Sequence, residues 1–149
     1  MGNPNIRPSD IATVLARIDP DAQAASTVDS IWVAVKDYAQ FLAIIQAGDL
    51  GASATLDASV RQAQDASGTG AKAITGKAIT QLTQAGSGSD KMALINVRPE
   101  ELDLDNSFTH ISVRVTVGTA TSEVGALLLG FNPRFGPGSH VAAVAEVLN

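Results

Sequence analysis

The groups best suited to chemistry in this chain are two histidines, His110 and His140, a Gly68-Thr69-Gly70-Ala71-Lys72 run, and the carboxylates Glu100, Glu101, Asp103 and Asp105. There is no cysteine, which rules out thiolate nucleophiles, disulfides and cysteine-ligated metals. A Ser-His-Asp hydrolase needs its serine on a sharp turn, and no Gly-x-Ser-x-Gly is present. His110 sits in phase with Phe108 and Ser112 on the polar side of a strand pattern, so a passive surface or interface position is expected. His140 lies in a Gly/Pro/Ser-rich tail and is expected to be passive too. A phosphate loop needs its lysine followed by Ser or Thr at the start of a helix, because backbone amides must wrap the phosphates. Here Ala73 follows Lys72 and no helix is signalled, so a turn between strands is expected. Counted from Asp103, the sixth and twelfth positions of a calcium loop hold Phe108 and Arg114 instead of Gly and Glu. The acidic run therefore reads as a solvated edge, with a hard cation or a basic patch on a partner as the alternatives. No enzymatic activity and no cofactor is expected.

Chemistry of contact is better represented. Trp32 is the sole tryptophan and, among Ile31, Val33 and Val35, is expected in the core. Arg134 stands between Phe131 and Phe135 on a Pro/Gly-rich segment, a combination suited to docking. Sugar platforms need several exposed Trp or Tyr side chains, and this chain has one of each.

The elements that must position these groups are mostly strands. Leu56, Ala58 and Val60 alternate with Thr55, Asp57, Ser59 and Arg61, and Ile111, Val113, Val115 and Val117 alternate with His110, Ser112, Arg114 and Thr116. A period of two marks half-buried strands. Further strands are expected at Ile31–Val35, Gln40–Ala47 and Lys91–Val97, with short pieces around Ile74 and Ile79 separated by Gly76. Ser9–Ile18 suits either a capped helix or a strand stopped by Asp19-Pro20-Asp21, and its β-branched residues favour the strand. Pro99–Leu102 suits one helical turn. Val124–Phe131 is apolar on both faces, which implies a central strand or one covered by another subunit. Gly118–Thr121 makes it a plausible hairpin partner of the preceding strand. Val141–Leu148 forms a short apolar end, helix or strand. The sum is a mainly β, single-domain β-sandwich of jelly-roll type: an extended N-terminal arm (1–10), a sandwich (11–135), and a C-terminal tail (136–149) that packs on the domain or a neighbour.

The chain of 149 residues is long enough for one real core. Its net charge of -5 and charged fraction of 17% are informative. An acidic balance argues against a nucleic-acid partner. A surface poor in Lys and Glu suits standing contact with other subunits. Arg7 is followed by no apolar run, so no signal peptide is expected. The apolar stretches at Phe41–Ile45 and Ala126–Leu129 are too short for a bilayer, so a protein made in the cytoplasm and soluble until it assembles is expected.

Several segments together resemble small structural proteins from the head regions of tailed bacteriophages and prophages. They are Asp19-Pro20-Asp21, Trp32 before Lys36-Asp37-Tyr38, Ala54 to Lys72, Lys77 to Leu82, Asn96 to Asp103, and Phe108 to Gly130, so the similarity runs from about Ile11 to Phe135. The resemblance implies a virion component, most simply a capsid cement or decoration protein, with the major capsid protein as partner and a homotrimer as its assembly state. A tail-tube, tail-terminator or head–tail joining protein is the alternative, and a carbohydrate-binding module is the alternative of another class. With such a role, the expected interface positions are Ile6 and Arg7 in the arm, which could add a strand to a neighbour's edge, Leu127, Leu129 and Phe131 on the last strand, and Arg134 and Phe135 beyond it.

Overall fold

Strands form wherever the sequence alternates. The computed structural model describes residues 5–148, and its strands are β1 (Ala12–Gln23), β2 (Ser26–Asp29), β3 (Val33–Ala34), β4 (Tyr38–Ala47), β5 (Thr55–Ala63), β6 (Lys72–Ala78), β7 (Leu82–Thr83), β8 (Met92–Val97), β9 (His110–Gly118) and β10 (Ser122–Pro133). All pairings are antiparallel: β1 with β10, β2 with β9, β4 with β8, and β5 with β6. That set describes one long hairpin ribbon folded at the β5–β6 turn. Rolling the ribbon adds two more pairings, β10 with β4 and β9 with β5. The result is two sheets, ordered β1-β10-β4-β8 and β2-β9-β5-β6, with the short β3 and β7 attached to β9 and β5. This double Greek key is a jelly roll, an architecture found in viral capsid, lectin and cupin domains.

The core lies between the sheets. Residues opposite one another in a ladder share a face, so Ala16, Leu128, Ala43 and Ile95 form one inward row and Ile18, Ala126 and Ile45 another. Leu56, Ala58 and Val60 meet them from β5, with Ile111, Val113, Val115 and Val117 from β9. The two clean alternations in the sequence are thus the two inner strands of the second sheet. Gly130 also faces inward: a β-carbon there would lie 2.6 Å from Leu15 and 2.7 Å from the Tyr38 ring.

Several expectations are corrected. β1 runs on through Asp19-Pro20-Asp21, because register shifts between Val14 and Ala16 and between Ile18 and Asp21 place Pro20 in a bulge of an edge strand, where its missing N–H costs no ladder bond. Both readings of Ser9–Ile18 contain part of the truth. Pro8–Ile11 is a single helical turn, so the arm is not extended there, and β1 follows at once; residues 1–4 of the arm lie outside the described residues. β10 is not the hairpin partner of β9, since the link at Gly118–Thr121 crosses from one sheet to the other. Ile74 lies in one strand that passes through Gly76 (φ 76°), with Ile79 just beyond its end. Ile31–Val35 is not a continuous strand, and Trp32 is half-buried, its indole against Gly68, not in the core. Val141–Leu148 is neither helix nor strand. The expected turn at Pro99–Glu101 is present as a 3-10 turn.

Where β2 stops, side chains continue the ladder. Ser30 N–H donates to the Val113 carbonyl (2.9 Å), Val113 N–H donates to Ser30 Oγ (3.0 Å), and Ser112 Oγ donates to the Ser30 carbonyl (2.8 Å). Both serines are buried. Ser30→Ala leaves the Val113 N–H without that acceptor, and we expect a loss of about 1–3 kcal/mol, measurable by urea unfolding; an unchanged midpoint would show that water or a shifted backbone takes the bond.

Candidate protein-binding face

The two outer faces of the sandwich differ in kind. On the β2-β9-β5-β6 sheet the outward rows are polar, with Thr27, Thr116 and Asp57 in one and Asp29, Arg114 and Ser59 in the next. Arg114 and Asp29 form a fork-to-fork pair at 2.7 Å for both bonds, and Thr27 and Thr116 share a hydroxyl bond of 2.9 Å. The aspartate raises the Arg114 pKa above its ordinary value. Water is the natural neighbour of such a face.

On the β1-β10-β4-β8 sheet the two central outward rows are largely apolar. Arg17, Leu127, Ile44 and Leu94 form the middle row across all four strands. Val14, Leu129, Leu42 and Asn96 form the next row on one side, then Ala12, Phe131 and Gln40. On the other side come Gly125, Gln46 and Met92. Met92 is 62% exposed, Leu94 59% and Leu127 40%. Arg17, at the β1 edge, is paired with Asp19. Contiguous, partly exposed aliphatic side chains make this face a candidate contact surface. One end of the face hollows into a groove of about 580 Å³, with Pro20, which packs over Gly125, and Asp21 on the β1 side, and Met92 and Asp90 on the β8 side.

The structure brings together three of the seven expected interface residues, Leu127, Leu129 and Phe131. Four further side chains that the sequence reading did not single out, Leu42, Ile44, Met92 and Leu94, share this face. Their signal was present, since β4 and β8, like β10, are apolar in both phases. The other expected positions lie at the far end of the sandwich. Ile6, 44% exposed, lines a hollow of about 400 Å³ with Ile11, Pro133 and Pro137. Arg7 N–H bonds the Asp10 carboxylate, Arg134 N–H donates to the Asp37 carbonyl, and Phe135 is 85% exposed. Arg134 therefore flanks the apolar face and is not part of it.

The remaining candidates are absorbed by the fold. In the loop after β5, the Asp65 carboxylate accepts from Ser67 N–H, Thr69 N–H and the Thr69 hydroxyl, so the amides a phosphate would need are already taken. Lys72 pairs with Asp103 and lies 4.1 Å over the Phe108 ring. Lys77 holds Glu101 at 3.0 Å. Two of the four carboxylates of the acidic run are thus paired with lysines of β6, while Glu100 and Asp105 stay exposed, and among the described residues no group of His, Asp and Glu is placed to hold a metal. His110 Nδ1 shares a bond with the Thr109 hydroxyl, and His140 Nδ1 accepts the Val14 N–H at 3.1 Å, which fixes the tail to the free edge of β1. Tyr38 is buried and Trp32 half-buried, so they do not combine as a sugar platform. No helix among the described residues is long and apolar enough to cross a membrane.

These contacts set the acid behaviour. The Thr69 hydroxyl and amide hold the Asp65 carboxyl below the usual carboxylate range. The Arg98 amide and then Lys77 do the same for Glu101, and Lys72 and Asn106 for Asp103. Folded values below unfolded ones mean the unfolded chain takes up protons first as pH falls. The stability they contribute is present above the ordinary carboxylate values and is lost as pH drops through the depressed ones. Melting curves from weakly to strongly acidic pH should therefore decline modestly at the acid end, since these carboxylates are solvent-exposed, and Asp103→Asn should flatten part of that decline; an unaltered slope in the variant would contradict the pairing.

No protein-family model matches the sequence, and no curated protein matches it either. Among solved structures, the chain is similar to a chain of Broad Bean Stain Virus (TM-score 0.47, 14% identity, 100% of this chain and 98% of that chain). It is similar to a chain of the Cowpea Mosaic Virus empty virus-like particle (TM-score 0.46, 10% identity, 94% and 90%). It is also similar to TmCBM61, solved with β-1,4-galactotriose (TM-score 0.33, 7% identity, 74% and 67%). All three scores are low, and the fold assignment rests on the strand order given above.

Proposed function

We propose that the chain is a non-catalytic structural component of a virion, held in place by burying the outer face of its β1-β10-β4-β8 sheet against neighbouring protein. The observation that carries this is the continuous apolar surface of Leu42, Ile44, Met92, Leu94, Leu127 and Leu129, set against the polar outer face of the opposite sheet. A solitary domain has no use for that asymmetry, and a subunit does. The jelly-roll order agrees, since shell proteins recur on it. The resemblance of the sequence to tailed-phage head proteins narrows the role to a capsid cement or decoration protein. Such a protein bridges capsid subunits, and many weak contacts together make its attachment firm.

The test is the number of copies per particle, measured by quantitative mass spectrometry on particles purified from the organism that encodes the chain. A cement protein is present in hundreds of copies. A ring of about a dozen would favour the joining or tail reading, and absence from particles would overturn the virion role.

A further inference from the structure

We infer that the occupant of the apolar sheet face is a second copy of the same chain, packed face to face about a two-fold axis lying along the Arg17–Leu127–Ile44–Leu94 row. This rests on the reading of that face as a buried contact. The geometry is self-complementary about that row. One side carries the groove between Pro20, which packs over Gly125, and Met92; the other carries the half-buried side chains of Leu129 and Phe131. A two-fold across the strands turns the copies end for end. Row 125 of one copy then lies over row 129 of the other, and each groove receives the partner's Leu129 and Phe131.

Charge follows the same symmetry. Asp90 precedes β8 by two residues, and Arg98 follows Val97 in the outward phase; both are exposed. Each lies four positions from Leu94, so the axis sets Asp90 of each copy against Arg98 of the other. A two-fold along the strands would instead lay β1 over β8 and bring Asp21 of each copy toward Asp90 of the other, a like-charge contact that opposes that orientation. Arg17 lies near its own copy at the edge, but each is already paired with Asp19.

The area suffices. Four strands at ~4.8 Å and the span from Glu123 to Phe131 at ~3.4 Å per residue give a face of roughly 19 by 27 Å. A pair of such faces removes about 1,000 Å², the lower bound of a specific interface. Sheets stacked in this way carry a natural twist of about 30° between strand directions. Reversible pairing in the micromolar range is the expected strength.

Sedimentation equilibrium of the purified chain, from micromolar to millimolar concentration, tests this. The wild type should be a monomer–dimer mixture. Asp90→Arg and Arg98→Asp should each weaken pairing about tenfold, and the double variant should recover wild-type affinity, because the charges are exchanged and still opposed. Leu94→Glu, which sets carboxylates together on the axis, should give a folded monomer. A double variant weaker than either single variant would overturn the two-fold. So would a wild type monomeric throughout. In that case, recovery of Leu94→Glu from particles separates the two readings: if the variant is lost from particles, the face binds a different protein and only self-pairing falls. A dimer indifferent to Leu94→Glu would place the contact elsewhere and remove the support for the face as an interface.

Discussion

Replacing Phe41 with alanine is expected to cost about 3–5 kcal/mol, a large part of the roughly 5–15 kcal/mol that holds a domain of this kind folded. Phe41 is 2% exposed and is the largest fully buried side chain of the core. Its row contains Gly130 and Val97, and Tyr38 meets its ring edge-on with centroids 5.9 Å apart. Gly130 has no side chain to move into the space, and Tyr38 is held from the other side by the tail at Gly138. The hole therefore stays open, which puts the cost at the upper end of the range. Urea unfolding of Phe41→Ala should show a strongly lowered midpoint with an unchanged slope. A loss below about 1 kcal/mol would mean that the sheets close over the vacancy, and that the inward rows are less tightly packed than their burial implies.

The second large effect is a contrast between adjacent residues. Leu128 is fully buried between the sheets, and Leu127 is 40% exposed on the apolar outer face. Leu128→Ala should cost about 2–5 kcal/mol. Leu127→Ala, measured at dilution where no neighbour covers it, should cost less than about 1 kcal/mol. In the assembled protein the order of importance changes: Leu128→Ala acts through folding alone, whereas Leu127→Ala weakens association. Equal costs in the dilute chain would mean that the outer face is covered by the chain itself, and that it is not a docking surface.

The alternation of β5 and β9 could be read directly because one side of each strand meets the core and the other meets water, and that contrast is written in residue type. β10 was legible as two-faced for the same reason. What the sequence did not disclose is that β4, β8 and β10 are neighbours. Each has apolar residues in both phases, and only the roll of the ribbon places their second phases side by side as one surface. Leu42, Ile44, Met92 and Leu94 were therefore missed although each was visible as an extra apolar residue. Two misreadings have local causes. Gly118–Thr121 has the length and composition of a hairpin turn, but a jelly roll uses such a link to pass between sheets, and Gly48 and Asp49 bond Glu123 to receive it. Asp19-Pro20-Asp21 has the composition of a turn, but on an edge strand the same residues make a bulge. Arg134 and Phe135 were chosen by type; they lie beyond the apolar rows because the chain leaves β10 after Pro133.

Hydroxyl-radical labelling of Met92 and Leu94 tests the central claim most directly, because both side chains are largely exposed in the single chain. Labelling is compared between dilute protein and assembled protein, the latter both at high concentration and in purified particles. The rates at Met92, Leu94 and Leu127 should fall severalfold on assembly, while Phe135, outside the face, keeps its rate. Undiminished labelling of Met92 and Leu94 in every assembled state would contradict the assignment of this sheet face as the surface by which the protein is held.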